Sequence, residues 1–288
     1  MNRRESQRAT IVAAGIAATS AGAAACGGGM TQLQSRPLDG PVTVDASQSE
    51  WWGALSEIGS DLSVGFRNDA DYLYLSLMTN DQKLVDQMML QGMVVWFDPT
   101  GQKTESFGVR FPLGMLAAGP PGSGLGTGAR PGGLPSAGEL GAGELDPATR
   151  DRIYERSMSG GSVLTAAGDT VRIESGSGIE FKGRADYGGF TYELRVPLRA
   201  GPERPYAIGA EPGQTIAIGF TTPEIDRDEL FERAREREGA EGGGPPSGGA
   251  PPGAGGGRPP GGFGAQGFSM PSPLEEWTLV TLASVRAR

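Results

Sequence analysis

The chain has 288 residues, a formal net charge of −9, one cysteine and no histidine. These counts exclude an internal disulfide, a cysteine-based zinc site, histidine ligation of metal or haem, and any catalytic triad with histidine as base. An acidic chain without a basic cluster also argues against nucleic acid and anionic headgroups as partners, so a non-catalytic role is expected.

The chain opens as an export signal. Arg3, Arg4 and Arg8 precede an uncharged run of small residues that ends at Ala24 and Ala25, and no charge returns until Arg36. A basic head, an apolar middle and small residues before a cut describe a secretory leader over residues 1–25. Cys26 follows directly, and this arrangement resembles the lipobox of bacterial lipoproteins, although Ala23 stands where a bulky aliphatic is usual. There the thiol takes a diacylglycerol and becomes the new N-terminus. Two alternatives remain open: an ordinary cleaved leader with an unpaired cysteine, and an uncleaved anchor. The second needs about 20 strongly apolar residues, and Ile11, Val12 and Ile16 are the only large aliphatics before Cys26. The Arg3-Arg4 pair hints at twin-arginine export, but Ser6 and Gln7 stand where apolar residues are expected. A lipid on Cys26 makes the protein an extracytoplasmic, membrane-anchored one. Gly27 in place of Asp favours the outer membrane or cell surface. Residues 26–37 suit a flexible tether, and residues 38–288 form one domain.

Glycine (49) and proline (22) are both abundant, and they concentrate at about 114–142 and 239–270. Neither stretch has the apolar mass to offset the entropy of ordering, so both are expected to be disordered inserts. The roughly 200 residues left suffice for one core.

Taken in order, the ordered regions read mostly as strands. Residues 41–45 alternate, and Trp51-Trp52 follows a serine-rich turn. Leu62, Val64 and Phe66 alternate, Asn68 to Asp71 is turn chemistry, and residues 72–77 run back as the second arm of a hairpin. Leu84, Val85, Met88 and Met89 have helical spacing over 81–91, with Gly92 as terminator. Residues 93–97 form a buried strand, 98–101 a turn, and 106–112 the returning strand. Asp146 and Pro147 open a helix to about Met158. Short strands follow at 163–164, 171–173 and 179–181, then longer ones at 190–197, 215–220 and 276–282. A charged helix is expected over 228–238. Many short strands, with helices only in connections, predict an all-β fold, an antiparallel β-sandwich with short connecting helices.

The order of these features resembles the DOMON-like sandwiches related to family 9 carbohydrate-binding modules. It runs from Asp39-Gly40 ahead of Trp51-Trp52, through Asn68-Asp69 before Tyr72-Leu73-Tyr74, to Trp96-Phe97-Asp98-Pro99 before Phe107-Gly108. Tyr192 to Pro197 then precedes Gly219-Phe220, and Trp277 lies in the last strand. The resemblance implies a glycan ligand clamped between aromatic rings near acidic and amide groups, with calcium in some members. It places Trp51, Trp52 and Asp98 as candidate ligand-binding residues, and Asn68, Asp69 and Asp71 as candidate calcium ligands through oxygen. Adjacent Trp51 and Trp52 would point to opposite faces of a strand, so at most one of them lines a site. Trp96 and Trp277 read as core. Turn service is the competing account of Asn68, Asp69, Asp71 and Asp98. Haem-binding branches of this fold use methionine and histidine, which a chain without histidine does not supply.

Glu275-Glu276 and Asp226-Asp228 are paired carboxylates, yet neighbours in sequence are poor candidates for facing groups across a cleft. No cofactor is implied beyond calcium. The leading expectation is a lipid-anchored, non-catalytic module for carbohydrate. The alternative is an envelope assembly lipoprotein that uses the sandwich as a platform for a protein partner. An open tryptophan beside acidic groups would favour the first, and four buried tryptophans the second.

Overall fold

The computed structural model describes residues 30–114, 147–186, 189–224 and 272–285. The inserts, the helix expected over 228–238, Asp146, Asp226 and Asp228 lie outside these residues, as does Cys26. The described chain folds as an all-β sandwich with two helices.

The hairpin centred on residues 68–71 forms from β4 (Leu62–Asn68) and β5 (Tyr72–Thr79). Asp69 makes the turn by accepting the amides of Asp71 at 2.8 Å and Tyr72 at 2.7 Å on Oδ1. β11 (Gly189–Pro197) pairs antiparallel with β5, and β10 (Glu180–Asp186) pairs with β11. β2 (Arg36–Pro37) and the short β3 (Ser56–Ile58) both pair with β4, which completes a six-stranded sheet. The second sheet has seven strands. β1 (Thr31–Gln34), β13 (Glu275–Thr281), β12 (Thr215–Thr221) and β6 (Val94–Asp98) lie side by side, followed by β7 (Phe107–Arg110), β8 (Ser162–Thr165) and β9 (Thr170–Arg172).

Alternation decides what each sheet buries. Val64, Phe66, Leu75, Leu77, Tyr192 and Leu194 of one sheet meet Val95, Phe97, Val109, Ile216, Ile218 and Val280 of the other in a single core. Each fully buried aliphatic or aromatic side chain contributes about 1.5–3 kcal/mol of transfer free energy, which is why the register cannot slip.

The helices close the ends of this core. α1 (Gln82–Gln91) has Asp81 as N-cap, with Oδ1 accepting Lys83 N at 2.7 Å and Leu84 N at 3.1 Å. It buries Leu84, Val85, Met88 and Met89 and stops at Gly92, whose φ of 84° a side chain would resist. α2 (Pro147–Ser157) packs beside it, and Tyr154 donates its hydroxyl to Asp86 at 2.8 Å.

Three local differences from the sequence reading have physical reasons. Residues 31–34 and 36–37, expected in a tether, are strands parallel to β13 and β4 respectively. The N-terminal segment thus caps the edges of both sheets, so the sandwich is not wholly antiparallel; unpaired edge amides and carbonyls attract such a strand. The alternating run over 41–45 forms no strand, and Trp51 lies in a 3-10 turn at Ser49–Trp51. Asp45 instead gives its amide, and Trp51 its indole N–H, to Glu193 on the outer face of the six-stranded sheet. Trp96 and Trp277 are buried, but in a second cluster with Val94 and Ala217 on the outer face of the seven-stranded sheet.

Candidate functional site

The outer face of the six-stranded sheet carries a row of small or polar residues, Gly65, Ser76 and Glu193, in register across β4, β5 and β11. Trp51 lies over this row. A Cβ on Gly65 would stand 2.9 Å from Trp51 Cε3, so glycine is what leaves room for the ring. The indole N–H donates to Glu193 Oε1 at 2.7 Å. Glu193 Oε2 accepts two successive amides, Asp45 N and Ala46 N, both at 2.8 Å. Ala46 adopts φ 61° to aim its amide there. Arg184 donates to Ala46 O at 2.7 Å, and Arg67 donates to Glu50 O at 2.8 Å while its guanidinium lies 5.7 Å from the centre of the Trp51 ring. One buried carboxylate therefore organises a strap over residues 45–53. Burial pushes the Glu193 carboxyl up, and the amides of Ala46 and Asp45 and the Trp51 indole only partly oppose it.

This strap separates the two adjacent tryptophans. Trp51 is 1% exposed, whereas Trp52 is 81% exposed and is the only exposed large hydrophobic side chain among the described residues. Trp51 is thus a packing residue whose polar atom is already spent, and Trp52 is the one open indole. Arg36 donates to Gly53 O and fixes the chain just beyond Trp52.

The structure does not bring Asp98 to Trp52. Asp98 is buried at the end of β6, where Oδ1 accepts Thr100 N at 2.8 Å and Thr100 Oγ1 at 2.7 Å from the loop that follows. Oδ2 accepts Gln102 N at 2.9 Å, Thr104 N at 2.8 Å and Thr104 Oγ1 at 2.6 Å. Five donors from its own loop leave no lone pair for a ligand, which corrects the binding role considered for it. Burial alone would raise its pKa, but the hydroxyls and amides of Thr104 and Thr100 outweigh burial and hold the carboxyl well below the usual carboxylate range.

Asn68, Asp69 and Asp71 likewise have separate duties. Asn68 ties the two sheets together: Oδ1 accepts Ser35 Oγ and Ala283 N (2.7 Å), while Nδ2 donates to Asp69 O at 3.0 Å and Ala283 O at 3.1 Å. Asp69 makes the hairpin turn, and Asp71 Oδ1 accepts from Arg204 at 3.3 Å. Among the described residues no three acidic side chains gather at one point. The oxygens of this trio serve a sheet junction, a turn and an ion pair.

A depression of about 500 Å³ is lined by residues of the edge strands β9 and β10 and of α2. Phe111 and Phe181 floor it with ring centres 4.7 Å apart. Arg172, Lys182 and Glu155 stand on its rim. A Cβ on Gly161 would meet Phe181 at 2.8 Å and one on Gly183 would meet Phe111 at 2.7 Å, so glycine leaves room for both rings. Glycines set against distant rings are visible only after folding. Glu275 and Glu276 are successive residues of β13, so they point to opposite faces.

No protein-family profile matches this chain, and no curated protein does. Two solved structures of a family 9 carbohydrate-binding module from Caldicellulosiruptor kristjanssonii are similar to it. The one in complex with glucose shows 10% identity and a TM-score of 0.31, covering 68% of this chain and 79% of that one. The one in complex with cellotriose shows 11% identity and a TM-score of 0.32, with the same coverage.

Proposed function

We propose that this protein is a non-catalytic carbohydrate-binding module, held outside the cytoplasm by a lipid on Cys26. The observation that carries the binding role is Trp52, an indole left open to water on a strap that Glu193 and Trp51 hold rigid. A pyranose presents C–H groups to such a ring, and a backbone held by Arg36 at Gly53 keeps the indole at one place on the surface. Covering one indole face removes roughly 100 Å² from water and contributes about 2.5 kcal/mol. A millimolar complex needs about 4.1 kcal/mol, so Trp52 alone does not retain a monosaccharide. The ligand is therefore a polymer or a surface, met at several points.

The anchor rests on the leader and on Cys26 following Ala24-Ala25. A Cys26→Ser variant should leave the membrane fraction, and native protein should carry the mass of a diacylglycerol. Affinity electrophoresis of the full chain against a panel of polysaccharides tests the binding role. At least one polysaccharide should retard the protein and quench its tryptophan fluorescence, and Trp52→Ala should abolish both without changing the urea midpoint. Unaltered retardation of the variant would refute the role given to Trp52. A protein partner lost on the same substitution would replace the glycan reading with the assembly one.

A further inference from the structure

Three residues, Gly27 to Gly29, separate Cys26 from Met30. Met30 packs against Trp96 and Trp277 on the outer face of the seven-stranded sheet. From Thr31 onward the chain is held in β1 by its register with Thr278 to Thr281 of β13, and Thr278 donates its hydroxyl to Thr31 O at 2.7 Å. A chain reaches at most about 3.6 Å per residue, so Cys26 stays within about 14 Å of Met30 whatever path the link takes. The strap that carries Trp52 lies on the other side of the molecule, over the outer face of the six-stranded sheet. Packed sheets stand about 10 Å apart, and the strap with its open indole adds a layer of the same order. Roughly 20 Å of thickness thus separates Met30 from the Trp52 surface, more than the link spans.

From this geometry we infer that the short link seats the outer face of the seven-stranded sheet on the phospholipid bilayer and turns the Trp52 face away from it. The inference rests on the lipid anchor proposed above and goes beyond it by naming the face that meets the membrane. Besides Met30, that face carries the partly buried Leu164 and Leu279 beside Trp96 and Trp277, an apolar cluster suited to a membrane interface. The orientation matters because an open indole is itself drawn to such an interface. A longer link would let Trp52 dip into the bilayer that anchors it, where no glycan could cover the ring. Arg36, which holds the chain beside Trp52, is ten residues from Cys26 and stays within about 36 Å of the lipid. Trp52 therefore works in the layer next to the membrane, on the side that faces outward.

The test uses the full lipidated chain in phosphatidylcholine vesicles that carry a nitroxide on the headgroup. Cys26 is the only cysteine, so once it carries lipid an introduced cysteine is the single free thiol. A fluorophore is placed at Gln32→Cys, exposed on β1 beside Leu279, or at Glu57→Cys, exposed on β3 of the six-stranded sheet. The label at position 32 should lose most of its emission, while the label at position 57 and Trp52, isolated by subtracting Trp52→Phe, should keep theirs. About 20 added Gly and Ser residues after Gly29 lengthen the link by roughly 25 Å and should remove the difference. Urea midpoints establish that each variant is folded. Equal quenching at the two labels, or stronger quenching at position 57, overturns the inference and leaves the anchor standing. Quenching of Trp52 overturns both the inference and the glycan role of that ring, and makes Trp52 a membrane contact. If mass spectrometry finds the Cys26 thiol free and the protein ignores vesicles, anchor and inference fall together, and polysaccharide retardation still decides the glycan reading.

Discussion

Trp51 and Glu193, 142 residues apart, meet through an indole N–H and a carboxylate oxygen at 2.7 Å. That contact turns one of two neighbouring tryptophans into packing and leaves the other in water. The same carboxylate accepts the amides of Asp45 and Ala46, so its removal orphans three donors at once.

Glu193→Ala should therefore cost about 3 kcal/mol or more, because an orphaned buried donor costs about 1–3 kcal/mol. Glu193→Gln should cost less, and its deficit should vary with pH. The folded-state pKa of Glu193 is raised by burial, so its contribution is present below the ordinary carboxylate value of about 4.3 and is lost as pH rises through the folded value. The stability lead of wild type over Glu193→Gln should shrink from acid to neutral pH. Urea midpoints at successive pH values measure this, and a lead that grows with pH would contradict it.

Asp98 should behave in the opposite sense. Its pKa is depressed by hydroxyls and amides of its own loop, which overcome burial. Its contribution is present above the ordinary value of about 3.9 and is lost as pH falls toward the folded value. Asp98→Asn should cost about 3 kcal/mol at neutral pH, and the deficit should narrow in acid. A deficit that is the same at pH 7 and in acid would show that the charge of Asp98 is not what the loop holds.

Tyr192 is buried, and its hydroxyl meets no hydrogen-bond partner. Burial pushes its phenol well up. Tyr192→Phe keeps the stack on Phe111 and removes only the unsatisfied oxygen. The variant should be as stable as wild type or more stable by about 1 kcal/mol, as read from thermal or urea unfolding. A loss above about 1 kcal/mol would mean the hydroxyl is satisfied.

Gly219 lies in register with both Trp96 and Trp277, and a Cβ there would stand 2.6 Å from Trp277 Cε2. On Gly108 it would stand 2.6 Å from Trp96 Cε3. Alanine at either position should destabilise by about 1–3 kcal/mol through overpacking, with a shift in tryptophan emission as the indole moves. Gly40→Ala has open space around the new methyl and should stay within about 0.5 kcal/mol, which provides the control.

Alternation, turn residues and caps made most of the fold legible in advance. Leu62, Val64 and Phe66 announce a half-buried strand, Asn68 to Asp71 a turn, and Asp81 and Gly92 the ends of a helix. Each signal is local, set by one residue's own backbone preferences and its neighbours within a turn. The candidate site was less legible. Trp51 and Trp52 were visible as a pair with one member open, but not which one. Asp98, Asn68, Asp69 and Asp71 were visible as oxygen donors, yet their loop, junction and turn duties depend on partners brought in by folding.

What the chain determined by itself is a set of strands with apolar faces that must meet, because alternating side chains leave no other way to exclude water. What only the tertiary structure decided is where the strands' polar faces are spent. Glu193 captured Trp51 and left Trp52 exposed, and Phe181 of β10 came to pack on Phe111. Those outcomes depend on residues far apart in sequence arriving at one place, and no local preference encodes their distance.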